Sequence, residues 1–241
     1  MPGPRTAMTT RAERHPAAPG SPGLYRLLAW LSPGFPIGSF SYSHGLEAAV
    51  AGGTVHDRAS LETWTAAIVV YGSGRMDADI LRDSYRAARA GDRAALDTAN
   101  QRGVAFRATA ELALEATQPG EAFLATCRAA WPEPFIDGWP ADGACYSVVF
   151  GALAARAGIA LADALVGYLQ ALAANLVSAG LRLGIIGQTD GQRILSALEP
   201  MVSGATAAAM TRDPGDFGAA TFAVDLASMM HETQYTRLFR S

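Results

Sequence analysis

From Ala164 to Leu181 the chain carries no charged residue, and no other stretch constrains the fold as strongly. Leu161, Leu165, Leu169, Leu172, Leu176 and Leu183 mark one stripe of a long helix predicted over Ala160 to Leu183. A bilayer span would need about 20 predominantly apolar residues. Here Gln170, Asn175, Ser178 and two glycines interrupt the run, and much of the rest is alanine, so a buried core helix is the better reading.

The rest of the chain agrees with a helical interior. Val-Ile-Thr alternation is scarce, while Ala and Leu recur at helical spacing. Helices are expected at Leu24–Leu31, from Ser41–Ser43 to Ala51, at Leu61–Val70 with Asp57 or Ser60 as N-cap, and at Met76–Ala90. A short helix capped by Asp92 follows, then Ala105–Thr117, ended by Pro119-Gly120, and Glu121–Ala130. The second half offers Ala144–Ala157, the long apolar helix, and a helix from Gly191 capped by Asp190, which Pro200 should kink or end. Helix resumes through Ala209, and a short one covers Leu226 to Thr233. The expected fold is all-α, a single-domain multi-helix bundle of about nine or ten helices with no β-sheet. Residues 1–22, with Arg5, Arg11 and Arg14 among Pro, Ala, Gly, Ser and Thr, read as a disordered tail; no apolar run follows that would make a secretory signal. Residues 23–241 form the one domain.

Charge and cysteine usage exclude several functions. Only 17% of the 241 residues are charged, so part of the apolar surface should meet a partner. The net charge is −3 and no basic block occurs, which argues against nucleic acid. All 19 basic residues are arginine, so a Schiff-base lysine and a P-loop lysine are both excluded. Cys127 and Cys145 stand alone without CxxC spacing and read as buried, reduced thiols in a cytoplasmic protein.

No constellation for catalysis emerges. Of the four histidines, none belongs to HExxH or Glu-x-x-His. Gly72-Ser73-Gly74 resembles a fragment of a phosphate loop, but no strand precedes it, and so short a glycine pair carries no phosphate-binding reading. Asp77, Asp79 and Asp83 among Arg75, Arg82, Arg86 and Arg89 read as a solvated, salt-bridged helix face, with a docking surface as the sharper alternative. His44 and Glu47 are three apart, but no third metal ligand is evident, so a hydrogen-bonded histidine near a helix start is preferred to a transient metal contact. Arg182 ends the uncharged helix; its donors are either satisfied internally or held for a partner.

Three stretches in order resemble the urease accessory protein F (UreF) family: Leu28–Glu47, with its Ser-Pro-Gly-Phe-Pro-Ile-Gly-Ser-Phe-Ser-Tyr-Ser-His-Gly-Leu-Glu run; Ser178–Arg193; and the tail Met230–Ser241. Ser39 stands where many members have glycine. The resemblance covers about residues 24–241. It implies an all-α homodimer that is not an enzyme and holds no cofactor, acting as a chaperone or scaffold with UreD (also called UreH) and the GTPase UreG in nickel insertion into apo-urease. Neither nucleic acid nor membrane is an expected partner. A helical enzyme or a ligand-binding regulator is the competing reading.

The residues expected to bind partners are Pro36, Phe40, Ser43, His44 and Glu47 from the first stretch, and Arg182, Gln188 and Gln192 from the second. Tyr235, Arg237, Leu238, Phe239 and Arg240 come from the tail. The segment Gln234–Ser241 is expected to dock UreD and to order on binding, because large apolar groups near a chain end are hard to bury internally. An arginine-finger role for Arg182 toward UreG, by analogy, would require an exposed guanidinium.

Overall fold

Capping chemistry divides the chain largely where the sequence predicts. The computed structural model describes residues 22–241; of the tail expected over 1–22, all but Pro22 lies outside the described residues. Ten α-helices are described: α1 Pro22–Trp30, α2 Leu46–Ala51, α3 Arg58–Tyr71, α4 Ser73–Ala90, α5 Arg93–Ala105, α6 Ala110–Ala130, α7 Tyr146–Arg156, α8 Leu161–Arg182, α9 Gln188–Thr211 and α10 Phe222–Glu232. Two single 3-10 turns, Ser39–Ser41 and Pro214–Asp216, complete the set, and no strand occurs among the described residues. Both proposed caps of α3 act together: the Asp57 carboxylate accepts from the Ser60 amide at 2.8 Å, and the Ser60 hydroxyl accepts from the Asp57 amide at 3.0 Å. Asp92 caps α5 through the Ala95 amide.

Several expected boundaries move, each for a local reason. α2 starts only at Leu46, because His44 and Gly45 both take the left-handed conformation with φ of 59° and 73°. α6 runs through Pro119-Gly120 instead of stopping there. Pro119 withdraws one backbone bond from the Glu115 carbonyl, yet the helix is clamped at that point. A Cβ on Gly120 would sit 2.0 Å from the Ala144 carbonyl oxygen and 2.5 Å from the Tyr146 amide, so α6 presses directly on the start of α7. α9 likewise continues through Pro200. It begins at Gln188 rather than Gly191, with Asp190 in its first turn, where a carboxylate complements the helix dipole.

The core lies where α4, α6, α7 and α8 cross. Trp30 packs edge-on against Phe123 at 5.7 Å, Phe123 touches Phe150 at 5.8 Å, and Tyr146 lies 5.3 Å from Tyr168. Gly151 lets α7 rest on α4; a Cβ there would fall 2.5 Å from the Leu81 carbonyl oxygen. The long helix α8 is the one described helix long and apolar enough to cross a membrane, and it is half buried in the bundle, with Leu165, Leu169 and Leu176 fully enclosed.

Contrary to expectation, only Arg86 and Arg89 of the ionic residues on α4 are exposed. Asp77, Asp79 and Arg82 are buried, Arg82 to 1% exposure. Arg82 donates to the Ala209 and Arg212 carbonyls at 2.7 and 3.1 Å, capping the C-terminal end of α9, and to Asp83 at 2.8 Å. Arg212 returns a 2.6 Å bond to Asp79. A helix pattern that reads as surface is thus a buried brace, affordable because each charge has a partner. The Gly72-Ser73-Gly74 sequence is the corner between α3 and α4, where a Cβ on Gly74 would meet Val69 backbone at 2.8 Å.

Candidate partner-binding site

The segment 35–45 folds as a loop across the ends of α6, α8 and α10. Gly45 is where α10 seats: a Cβ there would lie 2.9 Å from the Ser228 amide, in addition to the left-handed φ. This places Ser43, His44 and Glu47 inward, and all three are buried. Pro36 and Phe40 face outward. His44 Nδ1 lies 3.2 Å from Glu115 on α6, and its Nε2 is 2.9 Å from the Ser73 hydroxyl. Burial works to raise the Glu115 carboxyl, but the charge on His44 and hydrogen bonds from His44 and Ser241 outweigh it and hold Glu115 below the usual carboxylate range.

The tail completes this cluster, and the expectation that it orders only on binding needs correction. It is already folded onto the loop and α2. Its backbone pairs with residues 41–43: Arg240 donates to the Ser41 carbonyl at 2.8 Å and Ser43 donates to the Ser241 carbonyl at 2.9 Å. The Glu47 carboxylate accepts the Leu238 and Phe239 amides at 2.7 and 2.9 Å. Phe239 is 4% exposed, so one large apolar group of the tail does find a place inside. The signal was in the sequence: Glu47 in the first turn of a helix, followed far along by a histidine and a phenylalanine, but nothing in one sequence pairs them.

The expected residues therefore divide. Tyr235, Leu238 and Arg240 point outward, with Tyr235 fully exposed, while Arg237 turns its guanidinium to Glu111 at 2.8 Å. Ser43, His44, Glu47 and Phe239 are buried and can serve a partner only by shaping the surface. Arg182 is exposed rather than buried in the apolar stretch; it donates to the Phe40 carbonyl and lies over the Phe239 ring at 4.3 Å, so it clips loop and tail together. Partial burial lowers its pKa. Gln188 and Gln192 are exposed one turn apart on α9, and no bond joins them to this cluster among the described residues.

Sequence reasoning missed two buried residues and one exposed face. His231 and Glu111 lie in the same network as Glu47, and α10 offers an outer face of Phe222, Leu226, Met229 and Met230, with Phe222 83% exposed. Residues 222, 226, 229 and 230 have helical spacing, but the helix was expected to start only at Leu226, which hid the stripe. Behind the loop lies a cavity of ≈ 570 Å³ bordered by His44, Asp77, Arg107, Glu115 and Tyr168. Arg107 and Asp77 pair in its wall at 2.5 Å, and Tyr168 donates to Asp77 at 3.1 Å. Burial pushes the Cys145 thiol up to about 11, as expected of an inert core cysteine. Among the described residues no three His, Cys, Asp or Glu side chains gather to hold a metal ion.

Of the three stretches that carry the family resemblance, the loop, the tail and the α8 end of the second thus meet at one place. The UreF family model matches residues 55–199. The chain is 47% identical over 225 residues to the urease accessory protein UreF of Granulibacter bethesdensis, covering 92% of this chain and 95% of that protein. It is 47% identical over 231 residues to the UreF of Rhodopseudomonas palustris strain BisB5, covering 93% and 94%. Against the UreF of Bradyrhizobium sp. strain ORS 278 it is 45% identical over 240 residues, covering 97% of this chain and all of the relative. With matches of this length and a family model spanning more than half its residues, the chain belongs to the UreF family of urease accessory proteins.

Proposed function

We propose that this protein is a non-enzymatic scaffold, acting as a homodimer in the cytoplasm with UreD/UreH and the GTPase UreG in nickel insertion into apo-urease. The observation that carries the reading is an apolar face with no interior role. Phe222, Leu226, Met229 and Met230 on α10 continue into Tyr235 and Leu238 of the tail, all exposed. Exposed aromatic and methionine groups beside Arg237 and Arg240 have the composition of a docking surface. The side chains that could have done chemistry nearby, His44, His231, Glu47 and Glu115, are instead spent on holding loop and tail. UreD is the partner proposed for this face. Arg182, with Gln188 and Gln192, is proposed to influence urease activation, and Arg182→Ala should leave a folded dimer.

Co-purification of the full chain with UreD and UreG, analysed by mass, tests the scaffold. With Tyr235→Ala and Leu238→Ala combined, UreD capture should fall at least tenfold with the helical circular dichroism spectrum unchanged. Undiminished capture by that variant would remove the tail from the interface.

A further inference from the structure

His231 is fully buried on the inner face of α10, and each of its ring nitrogens faces a different carboxylate. Nδ1 lies 2.7 Å from Glu111 Oε2 on α6, and Nε2 lies 3.1 Å from Glu47 Oε2 on α2. The other oxygens of both carboxylates hold the tail. Glu47 Oε1 accepts the Leu238 amide at 2.7 Å, its Oε2 also takes the Phe239 amide at 2.9 Å, and Glu111 Oε1 accepts from Arg237 at 2.8 Å. The chain of bonds thus starts at the tail amides, passes through His231, and returns to the tail at Arg237.

A neutral imidazole has one N–H and one acceptor nitrogen; only the imidazolium donates from both. Two ionised carboxylates facing the two nitrogens therefore call for the charged ring. With it, the formal charges are two negative on Glu47 and Glu111 and two positive on His231 and Arg237. Without it, a bare nitrogen faces a buried carboxylate and one negative charge is left over beside a ring that is itself closed to water. Of the other ionisable groups nearby, Glu115 on α6 and His44 on the loop pair with each other, and burial raises the Asp225 carboxyl on α10 against the opposing effect of His44.

We infer that His231 is a proton-operated latch that holds residues 237–239 against α2 when the ring is charged and releases them when it loses its proton. The sign follows from the geometry. The docked tail binds one proton more than the released tail, so docking is favoured at lower pH and lost as pH rises. Histidine is the side chain suited to changing charge near neutrality. The latch is a property of the free chain and does not depend on which partner the tail meets.

Amide hydrogen exchange of the full-length ¹⁵N-labelled chain tests this between about pH 5 and 8. Protection of Leu238 and Phe239 is normalised to intrinsic rates at each pH and to Leu81 in the core. The wild type should lose at least tenfold protection at these two amides as pH rises. His231→Gln, whose two N–H groups share one nitrogen and cannot reach both carboxylates from opposite sides, should be weakly protected and flat. Glu111→Gln gives Nδ1 an amide donor in place of a carboxylate, so a neutral ring can still donate to Glu47; its tail should stay protected and flat. His44→Gln should keep the wild-type fall. A flat wild-type profile would overturn the latch, and so would an unaltered fall in Glu111→Gln or its disappearance in His44→Gln. Ring ¹⁵N shifts showing a neutral imidazole while the tail is docked would overturn it independently of any variant.

Discussion

Around α4, Asp77, Asp79 and Asp83 are matched by Arg107, Arg82, Arg212 and Arg102, in an interior where Arg82 and Asp79 are almost closed to water. Around α10, Glu47 and Glu111 share one histidine and one arginine. The first network ties α4 to α5, to the segment that follows α5 and to the end of α9; the second ties a tail to α2 and α6. Arginine cannot lose its proton in proteins, so the α4 brace keeps its charges across the physiological range. The α10 network depends on a ring that can lose one. Similar ion pairing therefore serves permanence in one region and adjustability in the other.

The comparison breaks first if the α4 brace is dispensable. Arg82→Ala would leave Asp83 without its 2.8 Å partner and the Ala209 and Arg212 carbonyls without their donor. Stranding buried partners of this kind costs about 3–5 kcal/mol. A urea titration should show the midpoint falling by that amount at unchanged slope, with no dependence between about pH 6 and 8. A loss under about 1 kcal/mol would mean that Arg212, already on Asp79, carries the brace alone.

The fold was largely legible in the sequence and the site only in part. Helical spacing, Asp57, Asp92 and the glycine after Ala90 mark most elements, because caps and turns are local chemistry. The continuity of α6 through Pro119 was not legible, since it depends on Gly120 meeting the backbone before α7. Neither was the burial of α4, whose charges look solvated until Arg212 and the α9 carbonyls are placed beside them. At the site, the family motifs pointed to the loop, Arg182 and the tail, and these do converge. What escaped was direction: Phe239 in, Tyr235 and Leu238 out, and Glu47 as the acceptor of two tail amides, all set by pairings nearly two hundred residues apart in the chain.

Phe239→Ala sharpens the contrast between brace and tail. A core phenylalanine truncated to alanine costs about 3–5 kcal/mol. Phe239 is as buried as many core residues, but it sits on a segment that can open by itself, so the global midpoint should fall by only about 2 kcal/mol. Protection of the Leu238 and Arg240 amides should be lost well before that of α4. Phe123→Ala, at the centre of the aromatic cluster, is the control and should show the full core cost in both measurements. Equal losses for the two phenylalanines would mean that the tail unfolds only with the whole domain.

Glu115 gives the smallest effect and separates the two regions from the acid side. Its carboxylate receives the Ser241 hydroxyl at 2.7 Å and faces His44 at 3.2 Å, and its pKa is lowered in the folded chain from the ordinary value of 4.5. A group depressed by folding contributes stability that is present above its unfolded value and is lost as pH falls through the folded one. The unfolded state takes up the proton first, so the loss begins below about pH 4.5. Glu115→Gln keeps the acceptor oxygen but cannot take up that proton. Its stability difference from the wild type should therefore be largest near neutral pH and shrink as the solution is acidified below pH 4.5, with Tyr235→Ala as a surface control that shows no such convergence. Histidine release at the other network runs the opposite way, weakening the tail as pH rises. The docked tail should thus be held best between the two limits, with Glu115 still charged and His231 still protonated, whereas the arginine brace of α4 gains and loses nothing on the alkaline side.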